Sequence, residues 1–277
     1  MKNTYLVKSN ENDECRLEFL DGDNEGIALI SMNRPKAKNA LGRVFLQQFK
    51  DCINNVKFEK NIRVLVIRSL VPGVFCSGAD LKERAKMTNE EVGPFVAGLR
   101  QSVSDLDTIP MPTIAAIDGY ALGGGLEMSL ACDMRVASSN AKIGLVETKR
   151  GIIPGGGGTQ RLTRVVGVAL AKELVFTSRI LDGNEAARMG VVNHSVEQND
   201  AGDAAYHRAI ELAKEITPNG PIALRVAKMA ISKGSEVDLN SGLAFEECGY
   251  AQVIPTKDRI EGMKAFAEKR EPKFRGE

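Results

Sequence analysis

Apolar and polar residues along the first two-thirds of the chain form blocks that predict strands and helices in turn. The run Ile27–Met32 is apolar and is followed by Asn33-Arg34-Pro35, a pattern typical of a buried strand that ends in a turn. From about Ala40, apolar residues recur every three or four positions and predict an amphipathic helix. Residues 62–68 are rich in β-branched side chains and predict the next strand. The apolar face of the helix consists of Leu41, Val44, Phe45, Phe49, Cys52, Ile53 and Val56.

The same alternation continues to about residue 137. Thr88, with Glu91 three positions later, has the pattern of a capping box and predicts the start of a second amphipathic helix. Residues 113–118 predict a strand, the glycines at 123–125 a helix start, and residues 134–137 a further strand. Because strand–helix–strand repetition implies parallel pairing with right-handed crossovers, the predicted fold class is α/β.

Beyond Gly183 the pattern changes to helices separated by proline and glycine. No stretch has the composition of a linker, so we expect these helices to pack on the same core or on a neighbouring subunit. The predicted division is a core over residues 1–200 and a C-terminal helical subdomain over residues 201–277. The predicted helices of that subdomain cover residues 203–216, 221–232, 237–251 and 257–269.

Composition narrows the class of protein. The chain has 277 residues, 43% of them hydrophobic, which suffices for a substantial core, and its net charge of +1 does not mark a nucleic-acid binder. The sequence contains no run of 18 apolar residues, so no membrane-spanning helix is expected. The first residues lack the apolar region of a signal peptide, and Glu11, Asp13 and Glu14 are unlike an organellar transit peptide. The five scattered cysteines indicate reduced thiols rather than a disulfide framework.

Several chemistries have no motif in this chain. The two histidines, His194 and His207, fit no zinc-ligand pattern and no Cys-x-x-Cys pair occurs, so no metal site is predicted. The sequence also lacks the motifs of a hydrolase elbow, a P-loop and a dinucleotide-binding glycine fingerprint.

Two glycine-containing segments each carry a carboxylate. Residues 119–127 end in three glycines, Leu126 and Glu127, and residues 144–154 contain Glu147 and run into four further glycines. Exposed backbone N–H groups can stabilise an oxyanion, and two carboxylates can move protons and position a water. Together the segments favour acid/base chemistry on a carbonyl compound. Each alone also fits a plainer interpretation: close packing of small residues for the first, and a surface carboxylate with a flexible turn for the second.

A third segment, Phe75-Cys76-Ser77-Gly78-Ala79-Asp80, follows a predicted strand and combines small residues with accessible backbone. Alone it fits an ordinary surface turn. Paired with the three glycines, it can supply a second N–H group to an oxyanion hole, where one donor typically contributes roughly 3–4 kcal/mol.

These three segments, in this order, resemble the crotonase (enoyl-CoA hydratase/isomerase) superfamily, and the resemblance extends from about Leu29 to Gly276. Residues 79–87 and 254–259 are similar to its AU-binding, methylglutaconyl-CoA hydratase branch, and residues 39–45 to the related enoyl-CoA hydratase domain-containing group. The motifs that carry the resemblance are Ser77-Gly78-Ala79-Asp80, residues 116–127, Glu147, and Ile153-Pro154-Gly155-Gly156-Gly157-Gly158-Thr159-Gln160-Arg161-Leu162.

The resemblance implies a fold, an assembly and a location. The fold is a crotonase-like spiral of repeated ββα units with a C-terminal helical trimerisation region. The assembly is a homotrimer or a dimer of trimers, and the location is mitochondrial.

It also implies roles for individual residues. The backbone N–H groups of Ser77 and Gly124 would form the oxyanion hole, although Ser77 stands where many members have alanine. Glu127 would act as the base on a water, and Glu147 would deliver a proton to the α-carbon. Coenzyme A would be part of the substrate, with no separate cofactor. The residues implied to border it are Lys36, Ala37, Lys38, Ala40, Ala79, Asp80, Leu81 and Lys82, with Phe266 and Lys269 approaching from a neighbouring subunit.

The function implied is hydration of a 2-enoyl-CoA thioester to a 3-hydroxyacyl-CoA. A narrower alternative is a hydratase of 3-methylglutaconyl-CoA in leucine degradation. The alternative from another class is an RNA-binding protein on the same fold. That branch has a comb of lysines along the first helix, where this chain has Arg43, Gln47 and Asp51, so RNA is not expected to be a partner.

Overall fold

The computed structural model describes residues 13–277, and within them the strands form two sheets. In chain order the strands are β1 Cys15–Phe19, β2 Ile27–Met32, β3 Val64–Ser69, β4 Gly73–Cys76, β5 Thr113–Ile117, β6 Gly119–Leu122, β7 Met134–Ser138, β8 Lys142–Gly144 and β9 His194–Val196. The larger sheet has the order β1-β2-β3-β5-β7-β9 and is parallel except for the antiparallel β1–β2 pair. The smaller sheet has three parallel strands in the order β4-β6-β8.

From β3 onwards, successive strands alternate between the two sheets. Strands β3, β5 and β7 lie in the larger sheet, and each is followed by a strand of the smaller sheet and then by helix. The chain therefore repeats a ββα unit along a spiral, and the predicted α/β spiral is confirmed.

Helices fill the connections between the strands and form the C-terminal part of the chain. The capping box at the start of α3 is confirmed: the Thr88 N–H donates to the Glu91 carboxylate at 2.9 Å. The helices are α1 Arg43–Lys57, α2 Leu81–Arg84, α3 Asn89–Asp107, α4 Gly124–Leu130, α5 Gly158–Val166, α6 Val168–Thr177, α7 Gly183–Arg188, α8 Ala204–Ile216, α9 Pro221–Gly234, α10 Leu239–Val253 and α11 Lys257–Glu268.

The larger sheet is buried on both faces. In β2, Ile27 and Leu29 pack in a cluster with the buried alanines of α8, whereas Ala28 and Ile30 belong to the main core with α1. All six residues of β2 are buried. A strand covered on both faces is apolar throughout rather than alternating, which explains the continuous apolar run in the sequence.

The sequence prediction and the structure differ mainly in the smaller sheet. Strands β2, β3, β5 and β7 and the C-terminal helices are confirmed within a few residues at their ends. Strand β4 overlaps the segment that fits a surface turn in the sequence, and β6 and β8 were not predicted. These strands have three or four residues each, so pairing with one another defines them more than any periodicity of their own.

The predicted boundary near residue 200 falls just before α8, which packs on the larger sheet. The division into two domains stays a prediction. Residues 1–12, which include Glu11 and the segment unlike a signal peptide, are outside the described residues. Within residues 13–277, no helix is long and apolar enough to cross a membrane, and no three His, Cys, Asp or Glu side chains are grouped to hold a metal ion.

Candidate active site

Three loops meet at one edge of the smaller sheet. Residues 77–79 follow β4, Gly123 and α4 follow β6, and Glu147 comes three residues after β8. Because β4, β6 and β8 are parallel neighbours, their carboxyl ends lie side by side. The carboxyl ends of parallel strands are where α/β proteins commonly hold ligands. The fold thus brings together the three segments that the sequence analysis singled out.

Glu127 is the buried acid of this edge. It lies in the first turn of α4 with 2% of its surface exposed. Its Oε1 atom accepts hydrogen bonds from the backbone N–H groups of Gly156 at 2.8 Å and Gly158 at 2.7 Å. Burial raises the pKa of Glu127, and the two N–H donors oppose that rise because they stabilise the carboxylate.

Glu147 is the second acid and has a different environment. It begins a short 3-10 helix, Glu147–Arg150, and its Oε2 atom is buried with no hydrogen-bond partner within the described residues. Burial raises the pKa of Glu147 to about 7, and the nearby Glu127 carboxylate adds to the rise. Near neutral pH, Glu147 therefore retains a proton in a large fraction of molecules while the amide-bound Glu127 is the better anion.

Glycines provide the room for both carboxyl groups. A Cβ atom on Gly123 would lie 2.9 Å from Oε1 of Glu147, a separation shorter than atomic packing allows. A Cβ atom on Gly156 would lie 2.7 Å from Oε2 of Glu127, and one on Gly158 would lie 2.9 Å from Oε1 of the same side chain. The glycines therefore allow the backbone to lie close to the two carboxyl groups. A flexible turn would not by itself need glycine at these positions.

Two backbone amides border the same space. Gly124 is the first residue of α4, where N–H groups have no acceptor within the helix. A Cβ atom on Gly124 would lie 3.8 Å from the Ala79 nitrogen, and one on Gly78 would lie 3.3 Å from the Gly124 nitrogen. Within residues 13–277, neither the Ala79 nor the Gly124 amide donates a hydrogen bond to another group. Both are available to a ligand oxygen.

Ser77 is placed differently from the sequence prediction. Its N–H donates to the carbonyl oxygen of Lys38 at 3.1 Å, so this amide is already used within the chain. The available amide beside Gly124 belongs to Ala79, which the resemblance had implied only as a neighbour of coenzyme A. The structure thus favours Ala79 over Ser77 as the second donor. No local signal separates the two amides, since the acceptor that engages Ser77 comes from the loop before α1.

An inner cavity and an outer cleft meet at these residues. The inner cavity, of about 100 Å³, contains Glu127 and Glu147. The outer cleft, of about 930 Å³, is open to solvent. Residues common to both are Ser77, Ala79, Leu81 and Arg150, so the cavity opens into the cleft. The apolar wall of the inner cavity is formed by Leu81, Phe95, Val96, Leu99, Val146, Ile152 and Ile153.

Most of the residues predicted to border coenzyme A line the outer cleft. Arg34 also lines the cleft and pairs with Asp80 at 2.7 Å and with Glu83 at 3.3 Å, which links the loop before α1 to the segment around α2. Burial alone would raise the pKa of Asp80, but backbone N–H donors and the Arg34 guanidinium lower it. The predicted residues that line the cleft are Lys36, Ala37, Lys38, Ala40, Ala79, Asp80, Leu81 and Lys82.

Phe266 and Lys269 lie away from the site of their own chain. Phe266 is on α11 with 87% of its surface exposed, and Lys269 ends that helix. Neither lines the inner cavity or the outer cleft. Their contact with coenzyme A from a neighbouring subunit stays a prediction.

The three positions compared with a lysine comb lie on α1. Arg43 pairs with Glu91 at 3.2 Å, and Gln47 donates to Asp51 at 3.0 Å. The single positive charge among them is therefore paired with a carboxylate of the same chain.

A ββα spiral with two glutamates in one cavity beside two available amides is typical of a class of enzymes that act on acyl thioesters, and comparison with known proteins agrees. The model of the family "Enoyl-CoA hydratase/isomerase" matches residues 22–277. The chain belongs to the enoyl-CoA hydratase/isomerase family, as the resemblance indicated.

Relatives within the family include members of the methylglutaconyl-CoA hydratase branch and of the enoyl-CoA hydratase domain-containing group. The chain is 55% identical over 276 residues to methylglutaconyl-CoA hydratase, mitochondrial, of Homo sapiens, covering 100% of this chain and 81% of that protein. It is 57% identical over 263 residues to enoyl-CoA hydratase domain-containing protein 2, mitochondrial, of Mus musculus, covering 95% and 89%. The crystal structure of an enoyl-CoA hydratase from Bacillus anthracis superposes with a TM-score of 0.90 at 44% identity, covering 95% of this chain and 100% of that one.

Proposed function

We propose that this protein is an enoyl-CoA hydratase that converts a 2-enoyl-CoA and water to a 3-hydroxyacyl-CoA. The observation that carries the proposal is the pair of glutamates in the inner cavity, unequal in their hydrogen bonding, beside two available backbone amides. Hydration of an enoyl thioester needs one group to take a proton, another to give one, and a site for negative charge.

The oxyanion is assigned to the amides of Ala79 and Gly124. As water adds to C3, the electrons of the double bond move toward the thioester carbonyl, whose oxygen becomes enolate-like. Donors aimed at that oxygen bind the transition state more tightly than the ground state, which is the requirement for catalysis.

The proton transfers are assigned to the two glutamates. Glu127 takes a proton from the water as its oxygen bonds to C3, and Glu147 gives its proton to C2 as the enolate collapses. The addition is redox-neutral and balances with no metal or redox cofactor, so none is assigned. After the reaction Glu127 holds a proton and Glu147 does not, and transfer between the neighbours or with solvent restores the starting state.

The acyl group is assigned to the inner cavity and coenzyme A to the outer cleft. The small size and apolar wall of the inner cavity favour a short acyl group. The name of the human relative supports the narrower activity, hydration of 3-methylglutaconyl-CoA.

The assembly and location are proposed on separate grounds. Exposed apolar side chains on the C-terminal helices, including Leu239 at 77% and Phe266 at 87%, support a homotrimer or dimer of trimers. The mitochondrial relatives support a mitochondrial location. Sedimentation analysis tests the assembly, and a monomer at micromolar concentration would contradict it.

A hydration assay tests the reaction with three substrates in parallel: crotonyl-CoA, a longer 2-enoyl-CoA and 3-methylglutaconyl-CoA. We expect the first and third to be hydrated and the longer substrate to react most slowly. The double variant Glu127→Gln/Glu147→Gln keeps the shape of both side chains and serves as the chemical control. Failure of the folded wild-type protein to hydrate any of the three, or full activity in the double variant, would contradict the proposal.

A further inference from the structure

The glycine loop that binds Glu127 is itself bound by an arginine outside the inner cavity. In this loop, the N–H groups of Gly156 and Gly158 donate to Oε1 of Glu127 at 2.8 and 2.7 Å. Arg100, on α3, donates from Nε to the carbonyl oxygen of Gly155 at 2.8 Å. Within the part of the chain that the structure describes, no other group donates to that carbonyl oxygen. Arg100 lines neither the inner cavity nor the outer cleft.

The bond from Arg100 reaches Glu127 through a single peptide group. The carbonyl of Gly155 and the N–H of Gly156 belong to one planar unit, so a hydrogen bond at the carbonyl end fixes the direction of the N–H. Both flanking residues are glycine, which has no Cβ atom to restrict backbone rotation. A charged donor on the carbonyl also polarises the peptide group and strengthens its N–H as a donor. The Arg100 bond therefore orients and strengthens one of the two bonds to the Glu127 carboxylate.

The second backbone donor to this carboxylate is fixed by a helix instead. The N–H of Gly158 shares a peptide group with the carbonyl of Gly157, which accepts from the N–H groups of Gln160 and Arg161 at 3.0 and 2.9 Å. The first turn of α5 thus holds that peptide group in place. The Gly155 carbonyl lies outside any helix or strand, so its orientation depends on the side chain from α3.

A second arginine contacts the loop at a different peptide group. Arg161 donates from Nη1 to the carbonyl oxygen of Gly156 at 3.2 Å and pairs with a carboxylate at the end of α3. The N–H of that peptide group belongs to Gly157, which is not one of the two donors to Glu127. Burial raises the pKa of Glu127, and the charges of Arg161 and Arg100 both oppose that rise. The two arginines thus share an electrostatic effect but differ in the peptide group that they hold.

We propose that Arg100 is a positioning residue of the hydratase, which acts through the Gly155–Gly156 peptide group to aim an N–H at Glu127 and hold that carboxylate in place as the base. This inference rests on the proposed function and adds a residue outside the cavity to the same site. Loss of the bond should lower kcat and leave substrate binding nearly unchanged, because Arg100 lines neither the cavity nor the cleft.

Three substitutions separate the hydrogen bond of Arg100 from its charge. Arg100→Gln keeps an N–H donor at the ε position, as many bonds from Cα as Nε of arginine, and removes the charge. Arg100→Lys keeps the charge but has a carbon at that position, and Arg100→Met has neither. We expect kcat for crotonyl-CoA to fall by roughly 10- to 100-fold in Arg100→Met, as for a catalytic group misplaced by up to about 1 Å. Arg100→Gln should recover most of that loss, and Arg100→Lys should not.

The matched control is Gln101→Met on the same helix. Gln101 is exposed and donates to Asp105 of α3 at 2.8 Å, so its loss should leave kcat unchanged. Steady-state kinetics gives kcat and KM for each variant, and circular dichroism verifies the fold. Wild-type kcat in Arg100→Met, or a raised KM at constant kcat, would overturn the proposal. Recovery in Arg100→Lys without recovery in Arg100→Gln would also overturn it, since a distant charge would then suffice.

Crystal structures of the variants give a readout that needs no turnover. In Arg100→Met we expect the Gly155–Gly156 peptide group to rotate and the 2.8 Å bond from Gly156 to Glu127 to lengthen or break. The bond should persist in Arg100→Gln. An unchanged peptide group in Arg100→Met would overturn the proposal even if kcat falls. If the folded wild-type protein hydrates no enoyl thioester, the proposed function fails, and the crystal structures still decide whether Arg100 positions Glu127.

Discussion

The inner cavity and the outer cleft adjoin each other but differ in how they hold their polar groups. In the cavity, buried Glu127 is fixed by two backbone N–H groups and a buried oxygen of Glu147 has no partner. In the cleft, the side chains of Lys36 and Lys82 are exposed. Interactions in a water-poor cavity are strong and unscreened, whereas exposed charges are weakened by water and salt. Catalysis should therefore depend on a few cavity groups, and coenzyme A binding on the sum of many weak contacts.

The largest expected effect comes from removing either cavity acid. Glu127→Gln and Glu147→Gln should each lower kcat by roughly 10²–10⁴-fold, because each removes one proton transfer. The double variant should lose little more than the worse single variant, since the two proton transfers belong to one addition reaction. Steady-state kinetics on crotonyl-CoA measures all three. Multiplicative losses would show that the glutamates act independently.

The next effect comes from filling the space that glycine leaves for Glu127. Gly156→Ala places a Cβ atom 2.7 Å from Oε2 of Glu127, so the carboxylate must shift. We expect kcat to fall by roughly 10²-fold, as for a catalytic group displaced by about 1 Å. Gly98→Ala on α3 is the matched control, since a Cβ atom there meets nothing within 4 Å. Equal activity in the two variants would show that the approach of backbone to Glu127 is not needed.

The pH dependence follows from the raised pKa of Glu147. A carboxyl group with a pKa of about 7 holds its proton below that pH and loses it above. Because the proposed reaction needs protonated Glu147, kcat/KM should fall about tenfold per pH unit above pH 7. A pH–rate profile from pH 5 to 9 measures this limb, and Glu147→Gln should lack it. A rate that still rises between pH 7 and 9 would contradict the assignment.

The smallest effects are expected in the cleft. Lys36→Ala and Lys82→Ala should each raise KM by less than about fivefold and leave kcat nearly unchanged, since an exposed ion pair contributes about 0–1 kcal/mol. The increase should shrink as salt is added. Lys172→Ala on α6, which lines neither cavity, is the control. A large loss of kcat in either cleft variant would contradict the view that the cleft contributes to binding and the cavity to catalysis.

The fold was largely predictable because its strongest signals are local. The apolar run of β2 and the capping box of α3 depend on neighbouring residues, and both are confirmed. The short strands β4, β6 and β8 were missed because their stability depends on pairing with one another across long stretches of chain. Without these strands, the sequence analysis could not predict that the three site segments lie side by side at one edge of a sheet.

The residue types that carry the site were evident from the order of amino acids: two glutamates, and glycines where backbone must approach them closely. That follows because a carboxylate is needed for proton transfer and a missing Cβ for close approach, and both are properties of single residues. The folded chain was needed to show that the amides of Gly156 and Gly158 donate to Glu127, and that the amide of Ser77 donates to Lys38 whereas that of Ala79 is available. Hydrogen bonding and burial depend on which distant segments meet, so these contacts follow from the fold as a whole.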